Sequence, residues 1–527
     1  MLHDKPGLPS PPASPPASPS AAVGPPAPPE PARGGARDAA LDLGCLLLLL
    51  ISALSCAWIA DDAFISLRVV ENAADGFGLR WNTDERVLVF SHPLWLLLHL
   101  PLAAAGLPSP AVNLGLSLLS VASMGLLLLR GLPRPLGRAT LLALASLKTV
   151  IDHSASGLEN PLLHVIVAAI ALQALGPTGG SGVARGRRVA ALVGLLLLTR
   201  PDQLGLAFGA LLWALLQSKT PRHWAQAAAW ALGPAALWAL GALAWTGSPV
   251  PNPTLAKLGA GVPQAVLIKQ GLGYLLSCAA ADPLGAVLLT LGLGLGLGLG
   301  FRGFAGAAGR LLAVGGLLQL AVVVLEGGDF MVGRFLSPTL VLAVLLLAHA
   351  GLPWPRMAAG ALISTALLGA AHPRGPTAGP TFDHRGLDAR GVADERGFYF
   401  QTTGWWPRQR DRRPLSTPAP PGPPQVTTMM NVGLDGFLAG PSVHIIDPMA
   451  LTDPLLARLP ADCGGPCRPG HLQRAVPEAH LAALARGAPG DQGADALGAL
   501  QQDVWWMTRG ALFSAERWRV ILRRRGR

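Results

Sequence analysis

Charge is scarce in this chain. Asp, Glu, Lys and Arg make up 13% of its 527 residues, where a soluble domain carries about a quarter. A chain so poor in charge, 51% hydrophobic and with mean hydropathy +0.42, is not an ordinary water-solvated globule; lipid is its main solvent. Cysteine is scarce too, five in all, which excludes a disulfide framework. Cys45, Cys56 and Cys278 fall in or beside apolar runs and read as packing residues. Cys463 and Cys467, in CGGPC within a polar tail, suit a small disulfide loop if that tail lies outside the cytoplasm. A zinc site there lacks a second ligand pair, with His471 the one near candidate. The net charge of +11 would raise nucleic acid as a partner in a soluble protein. Here the excess sits in short loops between apolar runs: Arg130, Arg134 and Arg138; Arg185, Arg187 and Arg188; Lys219 and Arg222; Arg302 and Arg310. That is the positive-inside pattern of cytoplasmic loops, and no nucleic acid partner is expected.

What the chain does contain is a series of apolar runs between residues 43 and 371. Inside lipid such runs are helical, because unpaired backbone groups cost several kcal/mol there. The expected fold is an all-α multi-pass transmembrane bundle over 39–371, with an outer loop at 61–92. Residues 1–38, rich in Pro, Ala and Ser, are expected to be a disordered cytoplasmic tail and not a cleavable signal peptide. The first span is expected from Leu43 to Ala60, stopping at Asp61-Asp62. The run at 93–107 is expected to be non-spanning or tilted, since a full crossing would put the basic loop Arg130 to Arg138 on the wrong side. The run LGLGLGLGLG, 291–300, reads as a glycine-rich helix rather than a strand. Residues 372–527, richer in Pro, Gly, Arg, Asp and Trp, are expected to form a small C-terminal extracytoplasmic α/β or mixed domain, with 409–425 as a linker.

Ionisable residues near membrane depth are costly, by ~2.5 to 3.5 kcal/mol at a helix centre, and so each is a functional candidate. Asp61 and Asp62 are adjacent carboxylates, able to divide proton acceptance and substrate binding between them. SHPLW at 91–95 brings His92, SGLENP at 156–161 brings Glu159, and TRPD at 199–202 brings Arg200 and Asp202, which could pair with each other across the proline. PNPTLAKLG at 251–259 brings Lys257, and EGGDFMVGRFLSP at 326–338 brings Asp329 and Arg334. The alternation of basic and polar loops groups Glu159, Asp202, Lys257 and Asp329 on the outer side. Arg and Lys there suit an anionic phosphate headgroup.

The stretch DDAFISLRVVENAADGFGLRWNTDERVLVFSHPLW, 61–95, resembles the first outer loop of bacterial polyprenyl-phosphate-dependent glycosyltransferases of the GT-C fold. SGLENP, TRPD, GSPVPNPTLAKLG, EGGDFMVGRFLSP and the tail segment VGLDGFLAGPSVHIIDPMALTDPLLARLP resemble the same group in the same order. Within that group the sequence most resembles the family of the mycobacterial terminal β-(1→2) arabinofuranosyltransferase. The sequence departs from it in VLVFSHPLW and in a tail richer in Pro and Arg. The resemblance implies a multi-pass enzyme of the bacterial plasma membrane with its active site outside. It implies a polyprenyl-phosphate sugar donor, arabinofuranose being one possibility, and a cell-envelope glycan or lipid acceptor. Asp61 or Asp62 would be the base of an inverting displacement. Arg334 and Lys257, with Arg200 or His92, would hold the donor phosphate, and Glu159, Asp202, Asp329 and Arg68 would line the substrate pocket. Trp405, Trp406 and Tyr399 could stack on acceptor sugar or simply pack. No cofactor or metal is firmly expected; an acidic pair could take a divalent cation, but further oxygen ligands are not identifiable. A flippase for lipid-linked saccharides is the alternative, but such transporters favour internal repeats and mid-span broken helices.

Overall fold

The computed structural model describes residues 33–176, 181–298, 303–350, 386–413, 416–461, 470–488 and 495–524, with a few isolated positions between them. Residues 1–32, most of the expected last run at 357–371, the expected boundary near 371, and Cys463 and Cys467 lie outside the described residues. Residues Leu41–Arg527 form one compact unit. About 68% of the described residues are helical, and the one sheet among them has two strands, as expected of a helical protein.

The first half holds α1 (Arg33–Ser55), α2 (Asp61–Ala74), α3 (Pro93–Ala104), α4 (Ser109–Gly131), α5 (Arg134–Ser146), α6 (Lys148–Ile151), α7 (Asn160–Leu175), α8 (Gly182–Thr199) and α9 (Leu204–Leu215). There follow α10 (Pro221–Thr246), α11 (Asn252–Leu258), α12 (Gln264–Ala281), α13 (Pro283–Gly298), α14 (Gly303–Leu325) and α15 (Ser337–His349). Among the described residues, four helices, within α1, α4, α10 and α14, are long and apolar enough to cross a bilayer. A fifth span arises if α12 and α13, bent by 114° at their junction, count as one. The bend falls at Asp282-Pro283, where proline disfavours helix in the residue before it. The Asp282 carboxylate there accepts from the backbone N–H of Thr149 and Gly285, both at 2.9 Å. Several apolar helices of this length suggest a membrane protein.

Two expectations about α1 are corrected. The helix begins at Arg33, inside the stretch read as disordered, and ends at Ser55, well short of Ala60. Residues 56–60 stay apolar but leave the helix, because their backbone groups find partners elsewhere. Trp58 and Ala60 donate to the carbonyls of Ala155 and Ser156 at 2.9 Å, and Ile59 donates to the Thr403 hydroxyl at 3.2 Å. Asp61 and Asp62 therefore open a new helix, α2, instead of closing the first. A helix N-terminus favours negative charge.

The reading of 93–107 agrees with the structure. At 1.5 Å per residue, the 12 residues of α3 fall well short of the ~30 Å hydrocarbon core. The chain then returns to the end it left, since the Ser109 N–H donates to Glu71 of α2 at 3.1 Å. From there α4 runs toward Arg134 and Arg138, which pair with Asp42, ten residues into the 23-residue α1. The basic loop thus lies beside the N-terminal half of α1, while the acidic pair follows its C-terminal end. The LGLG run is helical through Gly298. Helices α9 and α14 approach closely because Gly205 and Gly209 face backbone: a Cβ there would lie 2.1 Å from the Gln319 N and 2.4 Å from the Leu311 O. Small residues at such contacts are a membrane-bundle device. Helix α15 is buried all round, and so its 13 residues are surrounded by protein.

The tail is mixed, with α16 (Glu395–Thr403), α17 (Trp405–Arg410), β1 (Gln425–Thr428), α18 (Leu434–Ala439), β2 (Val443–Ile446), α19 (Glu478–Arg486), α20 (Ala496–Arg509) and α21 (Ala515–Arg523). Strands β1 and β2 pair in parallel. The tail shares apolar cores with residues 61–92: Ile65, Val69 and Trp81 pack with Val432 and Ile445, and Phe64 and Leu67 with Phe400 and Phe437. Asn252 adds a polar clamp, its amide donating to the carbonyls of Ala450, Leu451 and Asp453.

Candidate active site

The segment 56–60 and the loop 152–159 lie side by side at one end of the bundle and present Asp61, Asp62 and Glu159 together. Gly157 permits this approach. Its φ is +83°, and a Cβ would stand 2.8 Å from that of Ala63, while its carbonyl accepts from Trp95 at 3.2 Å and Asn113 at 2.8 Å. The EGGDFMVGRF segment enters between α14 and α15, held to the tail where Val332 donates to Ala393 at 2.9 Å and Ala393 to Phe330 at 2.8 Å.

Nearly all the charged residues nominated from sequence converge here. Arg334 donates to Asp62 at 2.8 Å and stands 3.7 Å from Glu159 and 3.8 Å from Asp329. Arg200 donates to Glu159 at 2.9 Å and grips Asp202 with two donors, one at 2.9 Å. His92 is buried, with Nε2 2.8 Å from the Ser66 hydroxyl and Nδ1 3.2 Å from Glu159. Burial lowers its pKa to about 4, so near neutral pH it is an uncharged prop for Glu159. Burial alone would raise Glu159, but Arg200, His92 and Arg334 hold it down at about 2. Asp329 is fully buried, and among the described residues neither of its carboxylate oxygens accepts a hydrogen bond; burial raises its pKa.

The two aspartates differ. The Asp61 carboxylate accepts from the backbone N–H of Gly433 at 3.0 Å and of Leu434 at 2.8 Å. It thereby ties the tail to the start of α2, and burial raises it to about 6. Gly433 allows this, since a Cβ there would overlap Asp61 backbone at 2.0 Å. Both acids are half-buried; the Asp62 side chain, 23% exposed, turns to Arg334 instead of to the tail backbone.

The cations differ as well. Arg200 and Arg334 are neutralised by surrounding acids, whereas neither the Lys257 ammonium nor the Arg468 guanidinium has an ion-pair or hydrogen-bond partner among the described residues. Lys257 lies over the Phe335 ring at 5.5 Å. The Lys257 side chain also comes near Gly470, two residues beyond Arg468. His471 packs on Phe330 with ring centroids 4.2 Å apart. Burial first, then the Arg468 charge, lowers its pKa to about 4.

Arg68 stands apart from the cluster. Its donors all go to backbone carbonyls, those of Trp81 at 2.9 Å, Gly436 at 2.5 Å and Val443 at 2.6 Å, with its guanidinium over the Trp81 ring. It pins the tail to the segment that follows α2, and its donors are turned away from the charged cluster. Of the aromatics, Tyr399 stacks on Trp58 and donates to Asn431 at 3.2 Å, close enough to Asp61 and Glu395 to feel their charge. Trp405 lines a separate cleft with Trp58, Asn113, Thr403 and Arg408, and Trp406 is exposed.

Glu326, Glu395 and Arg468 were not nominated from sequence. Burial, then Asp202, raises Glu326 to about 7; burial, then Asp62 and Asp61, raises Glu395 to about 8. Glu326 stands in the EGGDF motif, three residues before Asp329, and that was the available signal. Glu395 and Arg468 sit in the polar tail, where a charge has no apolar background to stand out from. Among the described residues no group of three or more His, Cys, Asp and Glu is placed to hold a metal ion. The chain matches no known family, no curated protein and no solved structure.

Proposed function

We propose that this chain is a membrane glycosyltransferase. In this reading it moves a sugar from a polyprenyl-phosphate carrier to a hydroxyl of a cell-envelope glycan or lipid on the outer face of a bacterial plasma membrane. The observation that carries it is the pairing of a partly accessible carboxylate, Asp62, with two uncommitted cations, Lys257 and Arg468, at one end of an apolar bundle.

Asp62 takes the proton of the acceptor hydroxyl as its oxygen attacks the anomeric carbon. The bond from that carbon to the phosphate oxygen breaks, and its electron pair leaves on the polyprenyl phosphate, which gains one negative charge. Lys257 and Arg468 face that charge, and stabilisation of a charge that grows in the transition state lowers the barrier. Arg334, held by Glu159 and Asp329, orients Asp62, and His92 and Arg200 hold Glu159. This arrangement shifts the phosphate-binding role from Arg334, Arg200 and His92 toward Lys257 and Arg468. One base without a second nucleophile fits inversion at the anomeric carbon.

The test is the full chain in lipid nanodiscs, offered a panel of polyprenyl-phosphate sugars, arabinofuranose included, with hydroxyl acceptors. The expected result is release of polyprenyl phosphate in step with a glycosylated acceptor. Lipid-linked sugar crossing a sealed vesicle chemically unchanged would overturn the proposal in favour of a flippase.

A further inference from the structure

We propose that α21, at the C-terminal end of the described chain, is a seat for anionic phospholipid headgroups at the membrane surface. The inference starts from α10, which presents its apolar surface outward: Leu237 is 73% and Leu240 62% exposed. For a helix of 26 residues and this composition, lipid is the natural cover. Its last turn is capped from outside. Arg517, fully buried, donates to the carbonyls of Ala244 at 2.9 Å and Trp245 at 3.0 Å, and Arg86 donates to Trp245 at 3.1 Å. A guanidinium there satisfies carbonyls that the helix itself leaves free and meets the negative end of its dipole. Helix α21 therefore meets the C-terminal end of α10, the level where a spanning helix leaves the hydrocarbon.

Its two sides differ in kind. Val520 and Ile521 pack inward with Met507 and Leu243. On the outward side, at 3.6 residues per turn, Trp518 and Leu522 follow one edge and Arg519 and Arg523 the other. Leu522 is 57% exposed, and Phe513, just before the helix, 79%. The Arg519 and Arg523 side chains are 75% and 67% exposed. Asp503 pairs with Arg523 and Arg524, and Glu516 lies 3.7 Å from Arg519; the arginines still outnumber these acids. An apolar edge beside a basic edge, at the mouth of a lipid-facing helix, is the order found at a bilayer interface. Guanidinium groups suit the phosphodiester of an anionic lipid.

The test uses the full chain in nanodiscs, with an environment-sensitive fluorescent amino acid in place of Phe513. Its emission should be quenched by brominated lipid, and brominated phosphatidylglycerol should act at about five-fold lower fraction than brominated phosphatidylcholine, the factor one arginine near a charged surface supplies. Arg519→Gln with Arg523→Gln should abolish that preference, while Arg519→Lys keeps it. Hydrogen exchange over 496–524 checks that the helix persists in each variant. Absence of quenching by either lipid, equal quenching by both, or loss of the preference in excess inorganic phosphate would overturn the proposal, the last by identifying a site for soluble anions.

Discussion

Replacing Asp62 by Asn, beside the same change at Asp61, separates chemistry from architecture. Asp62→Asn removes the proposed base but leaves Arg334 within 3.7 Å of Glu159 and 3.8 Å of Asp329. The buried guanidinium therefore stays neutralised, and with the Asp62 side chain 23% exposed, the cost to stability should be about 1 kcal/mol or less. General-base assistance is commonly worth ~10² to 10⁴-fold, a barrier of about 3 to 5 kcal/mol. The turnover number should fall by that factor, with donor KM little changed. Asp61→Asn instead removes a carboxylate that receives two backbone N–H groups. An amide oxygen can keep one of them, leaving a loss of about 1 to 3 kcal/mol, read as a lower unfolding temperature and faster hydrogen exchange at 431–437. The assay is transfer from a labelled polyprenyl-phosphate sugar in nanodiscs, with thermal unfolding on the same preparations. If Asp62→Asn retains more than about a tenth of wild-type turnover, or if Asp61→Asn alone abolishes turnover in a folded protein, the division of roles is refuted.

Lys257→Ala and Arg468→Ala should each raise donor KM and weaken binding of the product polyprenyl phosphate by about ten-fold or more, as charge-assisted contacts of ~1.5 to 3 kcal/mol are lost; unchanged product affinity in both would remove them as the phosphate grip. Glu326 and Glu395 titrate near 7 and 8, so protons leave them as pH rises through that window and negative charge accumulates around an anionic donor. Donor KM should therefore rise from pH 7 to pH 9, and Glu395→Gln should flatten the upper part of the profile; an identical profile in the variant counts against the assignment. Arg68→Met strips donors from three backbone carbonyls and should cost about 3 kcal/mol or more, seen as a lower unfolding temperature; an unshifted midpoint would mean that Arg68 does not pin the tail.

How much of this was legible in the chain depends on contrast with the background. Glu159, Arg200, Asp202, Asp329 and Arg334 interrupt apolar stretches, and a charge that costs several kcal/mol in lipid is conspicuous there. Glu395 and Arg468 were invisible because the tail is polar throughout. The end of α1 was misplaced for the opposite reason: residues 56–60 are as apolar as the helix before them, and what turns them out is hydrogen bonding to Ala155, Ser156 and Thr403. Arg68 looked like a pocket cation because sequence shows its charge and not the three carbonyls that absorb it.

By itself the sequence determined the helical character of the apolar part of this protein, since scarce charge and long apolar runs favour the helix, which satisfies its backbone groups within one segment. It also determined which charged residues are too costly to be incidental. Only the tertiary structure decided which of those charges neutralise one another and which stay free. That outcome rests on contacts between residues 41 to 372 positions apart, such as Arg200 with Glu159, Arg334 with Asp62 and Gly433 with Asp61, and local spacing carries no record of them.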